Sequence, residues 1–156
     1  PEGAQRIIVV GYGPVGKQLS GILRDNNLDV VVVEMNIDTV RRVSALGEKI
    51  IYGDATQREV LIHAGAEEAK SLIISSSSAP APEIVEVARS INPDMRILVH
   101  TTYLSVAETL KSEGASAVFS GEREVAVAMT EYLMRDFGAT DEQIDKERRK
   151  LRESMA

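Results

Sequence analysis

Three glycines near the start of the chain have the spacing of a phosphate-binding turn. They lie in the run Gly11-Tyr12-Gly13-Pro14-Val15-Gly16, which follows the pattern G-x-G-x-x-G. In this pattern the first glycine allows a tight turn, the second lets a pyrophosphate approach the backbone, and the third lets a helix pack closely on the preceding strand. Unpaired N–H groups at the helix start and the positive end of the helix dipole would hold the phosphate oxygens. The pattern therefore predicts that these six residues bind the phosphate groups of a nucleotide.

An acidic residue follows the glycines near the spacing of about 20 residues that dinucleotide-binding folds use. It is Glu34, which ends an apolar run and precedes Met35. A carboxylate at this point accepts hydrogen bonds from ribose hydroxyls and repels a 2′-phosphate, which favours an NAD-like nucleotide over an NADP-like one. We include Met35 in the same predicted site. The alternative for Glu34 is a helix cap or a surface carboxylate.

Further candidate residues follow two later apolar runs. The sequence Gly53-Asp54-Ala55-Thr56 comes after the third run, and Ser75 comes directly after the fourth. In a parallel sheet these positions share the carboxyl edge with the glycine turn, and ligands bind at that edge. Asp54, Ala55 and Ser75 therefore complete the predicted site. A second interpretation of Asp54 is a cap for the helix that begins near Gln57.

Short β-branched apolar runs separate these candidate residues. The runs are hydrophobic almost throughout, as strands covered on both faces must be, and the chain between them is long enough for helices. Strands are predicted over 6–10, 29–34, 49–52, 71–74, 96–99 and 116–119. Alternation of strands and helices predicts an α/β fold, a Rossmann-like doubly wound six-stranded parallel sheet with helices on both faces.

The segments between the runs have helical periodicity. Asn36 or Asp38 can cap the start of the second helix, and Gly47 marks its end. Later helices are predicted over 57–64, 83–91 and 104–111. The predicted core-facing stripes are Val15, Leu19, Ile22 and Leu23 in the first helix, and Ile37, Val40, Val43 and Leu46 in the second.

The chain after the sixth run predicts a C-terminal helical extension. The first of its helices covers 122–137, and no later strand is available to cover its apolar face. We therefore expect this face to join two copies of the chain in a homodimer. The face consists of Val125, Met129, Leu133 and Phe137.

A charged helix is predicted over about 140–154. It has five acidic and five basic residues between Asp141 and Glu153, and Ile144 and Leu151 recur with Phe137 every seven residues. This half of a coiled-coil seam predicts docking against another surface, while a solvated helix is the alternative. We predict a nucleotide-binding domain over 1–137 and a charged helical tail over 138–156.

Composition excludes several classes of protein. The chain has 156 residues, a net charge of −6, two histidines and no cysteine. The negative charge argues against nucleic-acid binding, and two histidines without cysteine argue against a metal site. The lack of cysteine excludes disulfides and thiolate catalysis and is typical of a cytoplasmic protein. No run approaches the roughly 20 apolar residues that span a bilayer, and the start at Pro1 suggests an excised segment without a signal peptide. Lys17 lacks the G-K-[ST] context, so nucleotide hydrolysis is unsupported.

As a set, these motifs resemble the regulator-of-potassium-conductance domain, also called the potassium-transport nucleotide-binding domain. The resemblance covers about residues 5–137. It rests on the opening IIVVGYGPVGKQL, the glutamate that ends the second run, YGDAT after the third, and the late segment GASAVFSGEREVAVAMTEYL. Such domains are appended to potassium channels and to Kef-type cation/proton antiporters.

The resemblance implies a cytoplasmic regulatory domain, attached to an inner (plasma) membrane transporter, that pairs with a second copy and gates an ion pathway. It also implies NAD(H) or an adenine nucleotide such as AMP as the ligand, with Glu34 at the ribose and Asp54-Ala55 at the adenosine. Two features depart from the usual pattern: the Ser-rich run over 75–82, and His100 in place of a common arginine. Both leave a mononucleotide such as AMP open beside a dinucleotide.

Other functions remain open at this point. An NAD-dependent oxidoreductase fragment would need a catalytic acid or base from a second domain, and residues 121–156 are too few to build one. A hydrolase built from one of the serines 75–78 with His100 and Asp54 lacks the G-x-S-x-G elbow. A dimerising or docking module with a vestigial site is the third alternative. We predict no catalytic residue and no enzyme activity, and expect the tail from Thr140 to connect functionally to the membrane portion.

Overall fold

The computed structural model describes residues 5–154. Within them the apolar runs form one sheet, in which every pair of neighbouring strands is parallel. The strands are β1 Arg6–Val10, β2 Asp29–Glu34, β3 Ile50–Tyr52, β4 Ser71–Ile74, β5 Arg96–Thr101 and β6 Ala117–Ser120. Their order is β3-β2-β1-β4-β5-β6, so the direction of winding reverses between β1 and β4. The predicted doubly wound, Rossmann-like fold is confirmed.

The described residues also form seven α-helices. They are α1 Pro14–Asp25, α2 Ile37–Ser44, α3 Arg58–His63, α4 Ala81–Ile91, α5 Ala107–Ser112, α6 Gly121–Asp136 and α7 Asp141–Ser154. The helix predicted over 104–111 is instead a short 3₁₀ turn, Leu104–Val106, followed by α5. Strand β5 extends past its apolar run because Thr101 pairs with Ser120 of β6. The ends of strands follow backbone pairing, which hydrophobicity does not report.

The core lies on both faces of the sheet. On one face Ile8, Leu72 and Ile97 pack with residues of α3, α4 and α5. On the other face Val9 and Val32, among others, pack with residues of α1 and the segment after it. Burial of both faces accounts for the near-continuous apolar sequence of the strands.

The predicted core-facing stripe of α1 is partly wrong. The residues that α1 buries are Gly16 and Ser20, whereas Val15 is 43% exposed and Ile22 is 57% exposed. Small residues let the helix axis approach the sheet, so the larger apolar side chains lie to the side. In α2, similarly, Val43 is the buried residue of its predicted stripe.

The predicted start and stop signals of α2 are confirmed. The side chain of Asn36 caps the helix, since its Oδ1 accepts a hydrogen bond of 3.0 Å from the N–H of Thr39. Gly47, just past the helix, has a φ of +85°, a conformation that glycine adopts without strain.

Helix α7 folds back along α6. Ile144 is 2% exposed at this contact, and Arg152 forms a bidentate pair with Glu124 at 2.7 and 3.0 Å. Arg148 pairs with Glu131 at 3.0 Å. The charged tail therefore docks on the chain's own α6, so its alternative as a fully solvated helix is wrong. The domain boundary at residue 137 stays a prediction.

An ion cluster at the amino edge of the sheet gives a pH-dependent prediction. Asp29 bonds Lys49 at 2.8 Å and Arg6 at 2.7 Å, and the hydrogen bond from Lys49, followed by that from Arg6, lowers the pKa of Asp29 below its ordinary 3.8. A lowered folded-state pKa stabilises the protein above the unfolded pKa, and this stability is lost as the pH falls through the folded value. We expect Asp29→Asn to flatten the loss of urea midpoint between about pH 5 and pH 2.

Glu67→Gln is the matched control, because the Glu67 side chain has no hydrogen bond or ion pair among the residues described. If the urea midpoint falls as steeply with decreasing pH in Asp29→Asn as in Glu67→Gln, the ion pairs of Asp29 do not cause the loss of stability in acid.

Candidate nucleotide-binding site

A cleft of about 380 Å³ opens at the carboxyl edge of the sheet, where β1, β2 and β3 end and α4 begins. We call it the edge cleft. Seven predicted site residues line it: Gly11, Tyr12, Gly13, Glu34, Met35, Asp54 and Ala55. Sequence reasoning missed the opposite wall, formed by Ser76, Ser78, Ala79, Pro80 and Ile84. Apart from Ile84, this wall belongs to the Ser-rich run over 75–82. The signal that could have found it is the position of this run directly after the fourth apolar run, at the carboxyl edge of a parallel sheet.

Four predicted site residues lie outside the lining of this cleft. Gly16 and Ser75 support the glycine turn from behind: the hydroxyl of Ser75 donates to the carbonyl oxygen of Val10 at 2.8 Å and is 3.1 Å from that of Gly11. A Cβ on Gly16 would overlap the carbonyl oxygen of Gly11. Pro14 is the first residue of α1, and Val15 faces a different groove.

The glycine turn presents backbone N–H groups. Gly11 has a φ of +97°, and its N–H donates to the carbonyl oxygen of Val33 at 2.9 Å. The first hydrogen bond of α1 runs from the N–H of Lys17 to Gly13 at 2.9 Å. The preceding N–H groups of Val15 and Gly16 have no acceptor within the described part of the chain. No neighbouring atom lies within 4 Å of a Cβ built on Gly13, so this residue faces open space.

Glu34 joins the turn to the start of α2. Its Oε1 accepts from the N–H of Tyr12 at 3.0 Å, and its Oε2 accepts from the N–H of Asn36 at 2.6 Å. It is therefore neither the N-cap, which is Asn36, nor a free surface carboxylate. Each carboxylate oxygen has further lone pairs, so a ribose hydroxyl can still donate to it.

Asp54 stabilises the turn before α3. Its Oδ1 accepts from the N–H and the hydroxyl of Thr56 at 2.9 and 2.7 Å. The N-cap of α3 is Gln57, so the alternative of Asp54 as a helix cap is wrong. The second oxygen, Oδ2, has no hydrogen bond to any described residue. Ala55 is buried beside it and lines the cleft.

The electrostatics of the edge cleft are unusual for a phosphate site. Two carboxylates, those of Glu34 and Asp54, line it, and its lining includes no lysine or arginine. A bound phosphate would therefore depend on backbone N–H groups and on the dipole of α1.

A second groove, of about 380 Å³, lies on the other side of the glycine turn. Its lining includes Val15, Ile73 and Phe119, and it is nearly all apolar. His100 borders it, with Nδ1 2.8 Å from the carbonyl oxygen of Ser75. We call this the apolar groove.

Residues 5–154 contain neither a metal-ligand cluster nor a helix that could span a membrane. No group of three or more His, Asp or Glu side chains there is arranged to hold a metal ion. None of the helices in this range is long and apolar enough to cross a membrane.

The parallel sheet, the glycine turn and the edge carboxylate define a Rossmann-type domain. The model of the TrkA-N domain family matches residues 7–121, and the chain belongs to this family. The resemblance drawn from the sequence is thereby confirmed.

Known relatives are parts of membrane cation transporters and channels. The chain is 35% identical over 127 residues to Escherichia coli K12 YbaL, which is named as a cation/proton antiporter; the match covers 81% of this chain and 23% of YbaL. The crystal structure of the TrkA-N domain of YbaL has a TM-score of 0.79 at 33% identity, covering 85% of this chain and 99% of that one.

Two other solved structures hold nucleotides. The GsuK channel bound to NAD has a TM-score of 0.73 at 25% identity, covering 82% of this chain and 24% of that one. The Shewanella denitrificans Kef CTD in its AMP-bound form has a TM-score of 0.73 at 21% identity, covering 96% of this chain and 92% of that one; at this identity the likeness concerns the fold.

Proposed function

We propose that this chain is a cytoplasmic, nucleotide-sensing regulatory domain that gates a potassium channel or a cation/proton antiporter. The observation that carries the proposal is the edge cleft, where backbone N–H groups, a ribose-competent carboxylate and a second carboxylate surround one space. NAD(H) or an adenine nucleotide such as AMP is the ligand. The relatives named as antiporters and channels, and those solved with NAD or AMP, support this assignment.

The charge of the edge cleft sets the expected order of ligands. Without a side-chain cation, every added phosphate meets the carboxylates of Glu34 and Asp54, at a cost of roughly 1 kcal/mol per charge. We therefore expect NAD and AMP to bind more tightly than NADP and ATP, by about fivefold or more.

Titration calorimetry of the chain with NAD, NADH, NADP, AMP and ATP tests the proposal. Gly13→Ala is the control, because its methyl group would project into open space at the phosphate end of the cleft. We expect it to lower affinity at least about tenfold while the fold stays intact. No binding by any of these nucleotides would overturn the sensor function and favour a docking module with a vestigial site.

The apolar groove bears on the alternative of an oxidoreductase. Its potential acid-base groups are already engaged: His100 contacts the backbone of Ser75, and Glu124 is paired with Arg152. A nicotinamide at this side of the turn would meet apolar side chains, so we infer binding without hydride transfer. Turnover of NAD(H) with any small alcohol or acid substrate would contradict this inference.

Helix α6 supports the proposed homodimer. Its outer face exposes more than half of each of five apolar side chains: Val125, Met129, Tyr132, Leu133 and Phe137. All of them except Tyr132 belong to the face that the sequence predicts. Docking of a second copy on the same face is the arrangement that removes this surface from water on both chains at once.

Leu133→Asp is expected to convert the dimer to a monomer, because the substitution puts a charge into the proposed apolar contact. Light scattering at high micromolar concentration measures the change. Leu46→Asp, on an even more exposed leucine side chain in the segment after α2, is the control and should leave the mass unchanged. A wild-type chain that stays monomeric would rule out the dimer.

A nucleotide can shift the gate only through different affinities for two arrangements of the domain. We propose that α7, which is held on α6 by ion pairs, transmits this difference to the membrane portion. Deletion of residues 141–156 in the intact transporter is expected to uncouple gating from nucleotide. Unchanged gating would count against this role.

A further inference from the structure

The Ser-rich run supplies two hydroxyl groups to the wall of the edge cleft. Ser76 and Ser78 both line this cleft, whereas Ser77 lines a separate small cavity between α4 and α5. The hydroxyl oxygens of Ser76 and Ser78 lie 2.9 Å apart, so one hydroxyl donates to the other. The pair has two hydroxyl hydrogens and uses one of them in this contact, so the second remains available to a ligand.

The run lies close to the glycine turn. A Cβ built on Gly11 would lie 3.2 Å from the Cβ of Ser76 and 3.6 Å from its backbone nitrogen. Gly13, which faces open space, lines the same cleft as Ser76 and Ser78. Donors of the run and donors of the turn therefore border one space, at the phosphate end of the cleft.

The backbone of the run adds further donors. The N–H of Ala79 donates to the carbonyl oxygen of Ser76 at 3.2 Å, which closes a turn around Ser77 and Ser78. The N–H groups of these two central residues have no acceptor within residues 5–154. Successive N–H groups of a turn can form a concave site for an anion. The run therefore has hydroxyl and backbone donors that the fold itself does not use.

The base of the run is held in place. The N–H and the hydroxyl of Ser75 both donate to the carbonyl oxygen of Val10, at 3.0 and 2.8 Å. Nδ1 of His100 lies 2.8 Å from the carbonyl oxygen of Ser75. These contacts join the run to β1 and β5, so binding of a ligand does not have to order its base.

A phosphate in the edge cleft depends on such neutral donors. The lining contains the carboxylates of Glu34 and Asp54 and no lysine or arginine among the described residues. A phosphate monoester has three terminal oxygens, whereas each phosphorus of a dinucleotide pyrophosphate has two. If the glycine turn binds two oxygens through its N–H groups, the third oxygen of a monoester is left for the donors of the run.

We propose that Ser76 and Ser78 are specificity-determining residues of the edge cleft, which hold the third terminal oxygen of a phosphate monoester opposite the glycine turn. The inference rests on the proposed nucleotide-binding function and names the class of phosphate that the cleft prefers. That class is a terminal monoester, as in AMP, in preference to a phosphate whose third oxygen is esterified.

Titration calorimetry with AMP and with adenosine 5′-methylphosphate, in which one phosphate oxygen of AMP is methylated, tests the inference. The double variant Ser76→Ala/Ser78→Ala should weaken AMP binding about tenfold or more, because it loses hydrogen bonds to a charged group. It should change the affinity for the methyl ester by less than about twofold, since that ligand lacks the third terminal oxygen. If the double variant fails to fold, Ser78→Ala at an exposed position replaces it.

The same run offers two matched controls. Ser77→Ala should leave both affinities at the wild-type values, because this serine lines the other cavity. Ser78→Thr keeps a hydroxyl group at the same position and should retain the wild-type affinity for AMP.

Failure of this inference can be distinguished from failure of the nucleotide-binding function. A wild-type chain that binds neither AMP nor the methyl ester would overturn both. A wild-type chain that binds AMP, together with an alanine variant that binds it equally well, would overturn the role of the serines alone. Equal weakening of both ligands would also overturn this role, because Ser76 and Ser78 would then act on the shape of the cleft or on another part of the nucleotide.

Discussion

Gly16→Ala is expected to lower the free energy of unfolding by about 3 kcal/mol and the Tm by roughly 10 °C. The added methyl group would overlap the carbonyl oxygen of Gly11 and lie 2.6 Å from the hydroxyl of Ser75. Neither group can move freely, because the N–H of Gly11 is bonded to Val33 and the hydroxyl of Ser75 is bonded to Val10. Relief of the overlap requires α1 to move away from the sheet, which opens the core behind the turn.

Gly13→Ala is the matched control for this experiment. The residue has a φ of −78°, which any amino acid adopts, and its Cβ would meet no neighbouring atom within 4 Å. We expect its urea midpoint to stay close to that of wild type. Equal destabilisation by Gly13→Ala and Gly16→Ala would contradict the close approach of α1 to β1.

Much of the fold can be predicted from the sequence because its signals are local. Parallel strands buried on both faces have near-continuous apolar runs, and these runs fixed the number and order of the strands along the chain. The glycine pattern works in the same way, since Gly11 needs a positive φ within its own turn. The cap at Asn36 and the stop at Gly47 are local as well.

Features that depend on contacts between distant elements were harder to predict. The face of α1 that packs on the sheet contains Gly16 and Ser20, and hydrophobic periodicity passes over such small residues. The wall of the edge cleft from Ser76 to Pro80 depends on the adjacency of β1 and β4, which no local pattern specifies.

The tail illustrates the same limit. The spacing of Phe137, Ile144 and Leu151 predicts one seam, but Ile144 is buried against α6 while Phe137 is exposed. The break at Gly138, with a φ of +80°, reverses the chain between the two helices, so one heptad spacing crosses two elements. Burial of Arg123 is equally unexpected, because arginine is normally exposed.

Glu34 is the residue at which stability and proposed ligand binding have to be separated. Its carboxylate accepts from the N–H groups of Tyr12 and Asn36, so Glu34→Gln replaces one acceptor oxygen with an amide that faces a donor. We expect a loss of about 1 to 3 kcal/mol in stability from this mismatch alone. Weaker nucleotide binding in the variant would therefore not prove a contact with the ribose.

Comparing the affinities for two ligands separates the loss of stability from the loss of a contact with the ribose. If the carboxylate also accepts from the ribose 2′-hydroxyl, Glu34→Gln should weaken AMP binding at least about tenfold more than it weakens binding of 2′-deoxy-AMP, since hydrogen bonds to charged groups contribute about 1.5 to 3 kcal/mol. Asp38→Asn removes a nearby charge in the first turn of α2 and should change the affinities for both ligands by the same factor.

The opposite result has an equally definite meaning. If Glu34→Gln lowers the affinities for AMP and 2′-deoxy-AMP by the same factor, the carboxylate accepts from the N–H groups of Tyr12 and Asn36 but not from the ribose 2′-hydroxyl. Asp54 would then be the remaining acceptor, because its Oδ2 has no hydrogen bond among the described residues and faces no competing donor there. In the same comparison, Asp54→Asn should then weaken the binding of AMP more than it weakens the binding of 2′-deoxy-AMP.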